Sequence, residues 1–205
     1  MKMEALMAVA ETELERRVLK PKLATPESIA GYGYLIGGTK SKSSDTPTFY
    51  GAAVQTSKPA PFVSNDDTSL TLANINPRPM EVRWMEYHNK HTQTFIPLEG
   101  KPMVAVLGKP TCRRPDGSWD ESQEQTPDID SVEAFYFDGA AGFVMNIGTW
   151  HEFPFAVEPD SNVVVILTNE TTANLQNVVD GEAHGDDLCK RDLQKRFGIV
   201  FQVEV

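Results

Sequence analysis

The feature that most limits this chain is a run of short, turn-bounded segments rich in β-branched and aromatic residues that starts near Ser69. SLTLANI, MEVRWMEYH, TQTFIPL, MVAVLG, VEAFYF, GFVMNIG and NVVVILT follow one another within about 100 positions, with Asn-Pro, Glu-Gly and Asp-Gly turn signals between them. Segments of that length cannot be long helices. Antiparallel strands joined by tight turns close into a sandwich or a barrel, so the chain is expected to be mainly all-β. Its 205 residues suit a single domain over 1–205, with a core at about 69–168. The stretch Glu4 to Lys20 is dominated by Ala, Glu, Leu and Arg and reads as a helix stopped by Pro21. It opens an N-terminal helical extension over 1–36, in which Thr25-Pro26-Glu27-Ser28 starts one short turn. Residues 37–48 and the polar insertion 111–128 read as loops. The C-terminal extension, 169–205, is expected to hold a helix over Asp186–Phe197, with Leu188 and Leu193 facing inward, and a last strand IVFQVEV.

Charge and cysteine content narrow the function classes. Nineteen basic residues stand against 29 acidic ones, a net charge of −10, whereas phosphate contacts demand a basic face. Nucleic acid is therefore not expected as a partner. No apolar run approaches the roughly 18 residues of a membrane-spanning helix, so no membrane partner is expected either. Two cysteines, Cys112 and Cys189, are too few for a disulfide framework or a cysteine zinc site. The expected compartment is the cytoplasm.

Three of the four histidines fall at or beside strand ends. Side chains two apart on a strand share a face, so Glu86 and His88 point the same way, Gln93 can come alongside from the next strand, and His151 lies in a later hairpin. His91 falls in the turn after His88 and reads as exposed, and His184 as solvated. The spacing Glu86-x-His88-x4-Gln93-x6-Gly100, followed by His151 in GTWHEFP, resembles the two motifs of the cupin superfamily, with Glu in place of a first histidine and Gln in place of the usual Glu. Imidazole with oxygen donors is a transition-metal ligand set.

The wording of MEYHNKHTQTFIPLEGKPMVAV, PDIDSVEAFYFDGAAGF and GTWHEFPF resembles one branch more closely, the ureidoglycolate lyase family, over roughly residues 19–168. The resemblance implies a cupin-type double-stranded β-helix, or jelly-roll barrel, and a carbon–nitrogen lyase that splits ureidoglycolate into glyoxylate and urea. It places Glu86, His88, Gln93 and His151 at the catalytic centre, with His88, Gln93 and His151 as ligands of a divalent metal. Nickel is the family's metal, and manganese and zinc stay open. Departures from the family pattern are Tyr87 for an Arg, Glu133 for the Arg of an R-A-F element, and Asn146-Ile147 for His-Arg. With those basic groups gone, Arg83 and Lys101 are the expected sources of charge for an anionic substrate, and Tyr87, Asn146 and Trp150 the expected further lining. Another small hydroxy or sugar acid as substrate, or a non-catalytic binding cupin, are the alternatives. A homodimer is expected, with IVFQVEV adding a strand to a partner or to its own sheet.

Overall fold

A computed structural model of the chain describes residues 14–37, 48–49, 53–111 and 125–205. Two sheets and a smaller third one carry the fold. The widest runs β16 (Ala183–His184), β17 (Leu188–Asp192), β8 (Trp84–His88), β13 (Trp150–His151), β10 (Met103–Gly108), β11 (Glu133–Phe137) and β2 (Lys22–Leu23), with β14 (Phe155–Ala156) also beside β10. Facing it is an antiparallel sheet in the order β3 (Gly33–Gly37), β12 (Ala141–Met145), β9 (Thr94–Pro97), β15 (Ser161–Thr168) and β6 (Thr68–Ile75). On the outer side lies the sheet β1 (Glu15–Leu19), β18 (Ile199–Val203), β7 (Glu81–Val82). A two-stranded pair, β4 (Thr48–Phe49) and β5 (Val54–Gln55), and two short helices, α1 (Asn169–Leu175) and α2 (Leu193–Phe197), complete the described elements. The chain is mostly β, with the facing sheets of a jelly-roll barrel.

β10 shows why its sequence is a continuous apolar run and not an alternating one. Met103, Ala105 and Leu107 pack with Phe95, Phe143, Val163 and Val165 between the two large sheets. Val104 and Val106 turn the other way, onto Val82, Ile199, Phe201 and Val203. Every residue of the strand is buried, so both of its faces are core. Each large side chain so buried contributes about 1.5–3 kcal/mol.

Two sequence expectations are corrected. Within the described residues, Glu15–Leu19 is a strand and not the end of a helix; the rest of the expected N-terminal helix, up to residue 13, lies outside them. Glu15 to Leu19 pair in parallel with Ile199 to Val203 at five successive positions, and Leu19 packs against the outer core. Helix propensities of a few tenths of a kcal/mol per residue do not outweigh that ladder. The expected helix over Asp186–Phe197 is likewise split. Leu188 to Asp192 pair antiparallel with β8, and only Leu193–Phe197 are helical, capped by the Asp192 side chain at Lys195 N, 3.0 Å, and ended by Gly198 at φ 68°. Leu188 and Leu193 are both buried. The last strand exists, but as the middle strand of its own sheet, so its edges are not free for a partner. Residues 38–47 and 112–124, which include most of the expected loops and Cys112, lie outside the described residues.

Candidate functional site

β8 sets the geometry by alternation. Met85 and Tyr87 enter the outer core, which turns Glu86 and His88 toward the space between the two large sheets. β13 lies beside β8 with His151 opposite Glu86; Trp150 enters the outer core, so His151 also faces inward. The chain then leaves His88, turns, and returns into β9 carrying His91 and Gln93. The turn is held down by Gly148 N donating to His88 O at 2.9 Å and Met145 N to Gln93 O at 2.8 Å.

Three imidazoles meet there. The His88 ring centroid lies 4.6 Å from that of His91 and 5.1 Å from that of His151, and none of the three is more than 3% exposed. Each ring is oriented through Nδ1. His151 Nδ1 donates to Thr149 O at 2.9 Å, which leaves a lone pair on Nε2. His91 Nδ1 lies 3.0 Å from Asp187 Oδ2. His88 Nδ1 is 3.4 Å from Thr171 Oγ1 and its Nε2 is 3.2 Å from Gln93 Oε1. The Nε2 atoms of His91 and His151 are buried and have no hydrogen-bond partner. Such orphaned groups cost about 1–3 kcal/mol each, a cost that a bound ligand or ion removes.

Carboxylates flank the imidazoles on both sides. Asp187, fully buried, accepts from Thr168 Oγ1 (2.9 Å), Thr171 Oγ1 (2.7 Å) and Lys90 N (2.9 Å). Burial opposes its ionisation, but the hydrogen bonds from His91 and Thr171 outweigh that and hold it well below the usual carboxylate range. Glu86 Oε1 is 3.9 Å from His151 Nε2 and its Oε2 accepts from Lys190 Nζ at 3.1 Å. Burial, with the neighbouring His151 and His91, pushes His88 well below the ordinary histidine value, and burial also lowers His151. Both are neutral at pH 7, and His151 offers the lone pair of its unpartnered Nε2. Burial raises the Glu152 carboxyl despite Lys190 close by.

Two sets, Glu86–His88–His151 and His88–His91–Asp187, each bring one ligand atom per residue within 4.8 Å of the others. Clustered imidazoles, two of them with orphaned Nε2 atoms, and carboxylates behind them are the donor set of a divalent cation, with the carboxylate–histidine pairing that metal sites use. The residues present can therefore hold a metal.

The remaining expected residues are placed elsewhere. Tyr87 and Trp150 pack edge to face in the outer core, 4.5 Å between centroids, because odd positions of β8 and even positions of β13 point outward. Arg83 grips Asp192 at 2.8 Å and lies over the Trp84 ring. Lys101 Nζ donates to Pro159 O and Asp160 O. Asn146 lines a surface hollow of about 320 Å³ with Val63, Thr92 and Ile147. Sequence reasoning passed over His91, which is 1% exposed, and Asp187 and Lys190, which reach the cluster only because β17 pairs with β8. Asp187 sits in the polar GEAHGDD stretch and Lys190 in CKRDLQKR, which reads as a solvated helical face.

Fold and site define a mostly β protein with a buried histidine–carboxylate cluster suited to a divalent cation. The sequence model of the ureidoglycolate lyase family matches residues 16–184, and this chain belongs to that family. It is 29% identical over 115 residues to the ureidoglycolate lyase of Azotobacter vinelandii, covering 56% of this chain and 60% of the relative. To the ureidoglycolate lyase of Pseudomonas savastanoi pv. phaseolicola it is 28% identical over 118 residues, 56% of this chain and 58% of that one. The chain thus spans about 60% of the length of the curated relatives it matches. Among solved structures, RmlC from Streptococcus suis in complex with dTDP-D-xylose aligns over 49% of this chain and 42% of that one at 10% identity and a TM-score of 0.27, a likeness too slight to argue from. No helix among the described residues is long and apolar enough to cross a membrane.

Proposed function

We propose that this protein is a lyase that cleaves ureidoglycolate to glyoxylate and urea in the space around His88. The observation that carries the reading is the pair of buried, partnerless Nε2 atoms on His91 and His151 in a member of the ureidoglycolate lyase family. His88, Gln93 and His151 are the residues that would hold a divalent cation, nickel on the family resemblance, and His91 offers a further imidazole. When bound, such an ion supplies a Lewis acid that makes the substrate hydroxyl more acidic.

The chain's own groups account for the proton movements. Glu86, paired with Lys190, takes the hydroxyl proton as the C–O bond becomes a carbonyl. The C–N bond breaks with its electron pair going to nitrogen, and the proton taken up by Glu86 passes to the departing urea nitrogen. Asp187 keeps the His91 ring in one tautomer and orientation. The surrounding strands exclude water, since His88, His91, Gln93 and His151 are all buried.

A second reading keeps the site and changes the substrate to another small hydroxy or sugar acid, or to a ligand bound without turnover. What favours it is the loss of basic positions: Glu133 is spent on Lys22 and Tyr32, and Tyr87 is core. In either reading the protein acts in the cytoplasm as a homodimer, with exposed Leu70 and Leu72 on the edge strand β6 as apolar surface for the second copy. The test is glyoxylate release from ureidoglycolate by purified protein of known metal content. Release that stops on chelation and falls about a hundredfold or more in His88→Ala is the expected result. A folded, metal-loaded protein that releases none would overturn the lyase reading and leave the second.

A further inference from the structure

We propose that Lys190 is the cation that receives the substrate's carboxylate, and so the residue that makes this site specific for an anionic substrate. The inference rests on the reading above for the kind of substrate, but on separate residues. An anion of this size needs a cation or a metal to hold it. The positions at which a base was looked for do not serve: Tyr87 is core, Glu133 is paired with Lys22, and Arg83 and Lys101 are engaged elsewhere.

β17 supplies the charge instead. Its antiparallel register sets Lys190 opposite Glu86, and directly opposed residues project from the same face. The ammonium reaches Glu86 Oε2 at 3.1 Å, and the other oxygen of that carboxylate is 3.9 Å from His151 Nε2. The field of Lys190 is felt at both His151 and Glu152. Its side chain is 22% exposed, against 13% for Glu86 and 2% for His151, so the charge stands between the buried imidazoles and solvent. An ammonium carries three donors and Glu86 engages one. The neighbouring cations are committed: Arg78 to Glu152, Phe153 O and Pro154 O, and Arg191, buried, to the carbonyls of Gln125, Ala183 and Lys190. Lys190 also lies beyond the segment, 16–184, that the family model matches, so this source of charge is a feature of β17 and not of the matched motifs.

The test uses oxalurate, the uncleavable analogue in which the hydroxyl-bearing carbon is an amide carbonyl, and its uncharged amide, oxaluramide. Binding of each to the metal-loaded protein is measured by calorimetry for wild type, Lys190→Met, Lys190→Arg and the double variant Lys190→Met/Glu86→Gln, in which no carboxylate is left without its partner. Wild type is expected to prefer oxalurate to the amide. Lys190→Met and the double variant lose that preference through a roughly 10–100-fold weaker grip on oxalurate alone, and Lys190→Arg retains it. Thermal melts confirm folding, and Lys190→Gln replaces Lys190→Met should the latter unfold. An unchanged preference in Lys190→Met, an equal loss for both probes, or no preference in wild type overturns the inference. The two proposals fail separately. Wild type that releases no glyoxylate but discriminates through Lys190 sinks the lyase reading alone, and turnover with unchanged discrimination in Lys190→Met sinks this one alone.

Discussion

His88 has two flanks, and they are built for different work. On one side stand His91 and Asp187, both at most 1% exposed; Asp187 takes hydrogen bonds from two threonines, a backbone amide and an imidazole. On the other stand His151 and Glu86, whose carboxylate is partly exposed and reaches outward to Lys190. The sealed flank has every oxygen engaged in holding a ring still. The open flank has a carboxylate with one ion-pair partner, a lone pair 3.9 Å away and access to solvent. A site that must be rigid and still move protons needs both. Removing a group from each side should therefore damage different properties.

The largest effect on stability is expected on the sealed flank. Asp187→Asn keeps the shape but replaces an ionised acceptor with an amide that must turn N–H groups toward two hydroxyls and a ring nitrogen. Breaking a buried network of this kind costs about 2–4 kcal/mol, and loss of the carboxylate behind a ligating imidazole weakens metal affinity about 10–100-fold. Urea unfolding and a metal titration measure the two. An Asp187→Asn protein as stable and as metal-competent as wild type would erase the distinction between the flanks.

Glu86→Gln sharpens the contrast from the open side. Its ion pair with Lys190 is partly exposed and worth about 0–1 kcal/mol, so melting should barely move. As the group assigned to take the hydroxyl proton, its loss should lower kcat about 10²–10⁴-fold, with substrate KM much less changed. Steady-state glyoxylate assays beside a melt give both numbers. A variant that unfolds but retains its kcat would reverse the roles assigned to the two sides.

The open flank was the readable one, and the reason is local. A period of two along MEVRWMEYH puts Glu86 and His88 on one face with no knowledge of the rest of the chain, and a following turn is enough to return Gln93. The strands of the region from Ser69 to Thr168 were readable for the same reason, because their apolar content and turns are contiguous. Asp187 is 96 positions from His91 and joins it only through the β17–β8 ladder, in a segment whose Leu, Lys, Arg and Gln content favours a helix. The strand Glu15–Leu19 was hidden in the same way, its ladder partner lying at the other end of the chain. Local propensity is a weak force of a few tenths of a kcal/mol per residue, and at both ends of this protein a tertiary ladder overrides it. His91 was misjudged because a turn residue is normally exposed, whereas this ring is enclosed against Asp187 and His88.

The smallest predicted effect concerns the clasp that brings β17 to both flanks at once. Glu182 accepts from Arg196 Nε at 2.6 Å and Nη2 at 2.8 Å, and from Asp192 N at 3.1 Å. The Arg196 fork, acting against burial, holds its carboxyl down to about 2. A folded-state value below the ordinary one means that the unfolded chain binds the proton more readily. The stability from Glu182 is therefore fully present above about pH 4.5 and is lost as the pH falls toward 2. Glu182→Gln should cost on the order of 1–2 kcal/mol at pH 7, and the gap to wild type should be unchanged at pH 5 and close as unfolding is repeated at pH 4 and 3. Because Asp187 immediately precedes β17 and Lys190 lies on it, any loss of activity in this variant should appear equally in metal affinity and in substrate binding. A gap that stays constant with pH would show that the Glu182 charge contributes nothing to the clasp. An effect confined to one flank would show that β17 does not couple them.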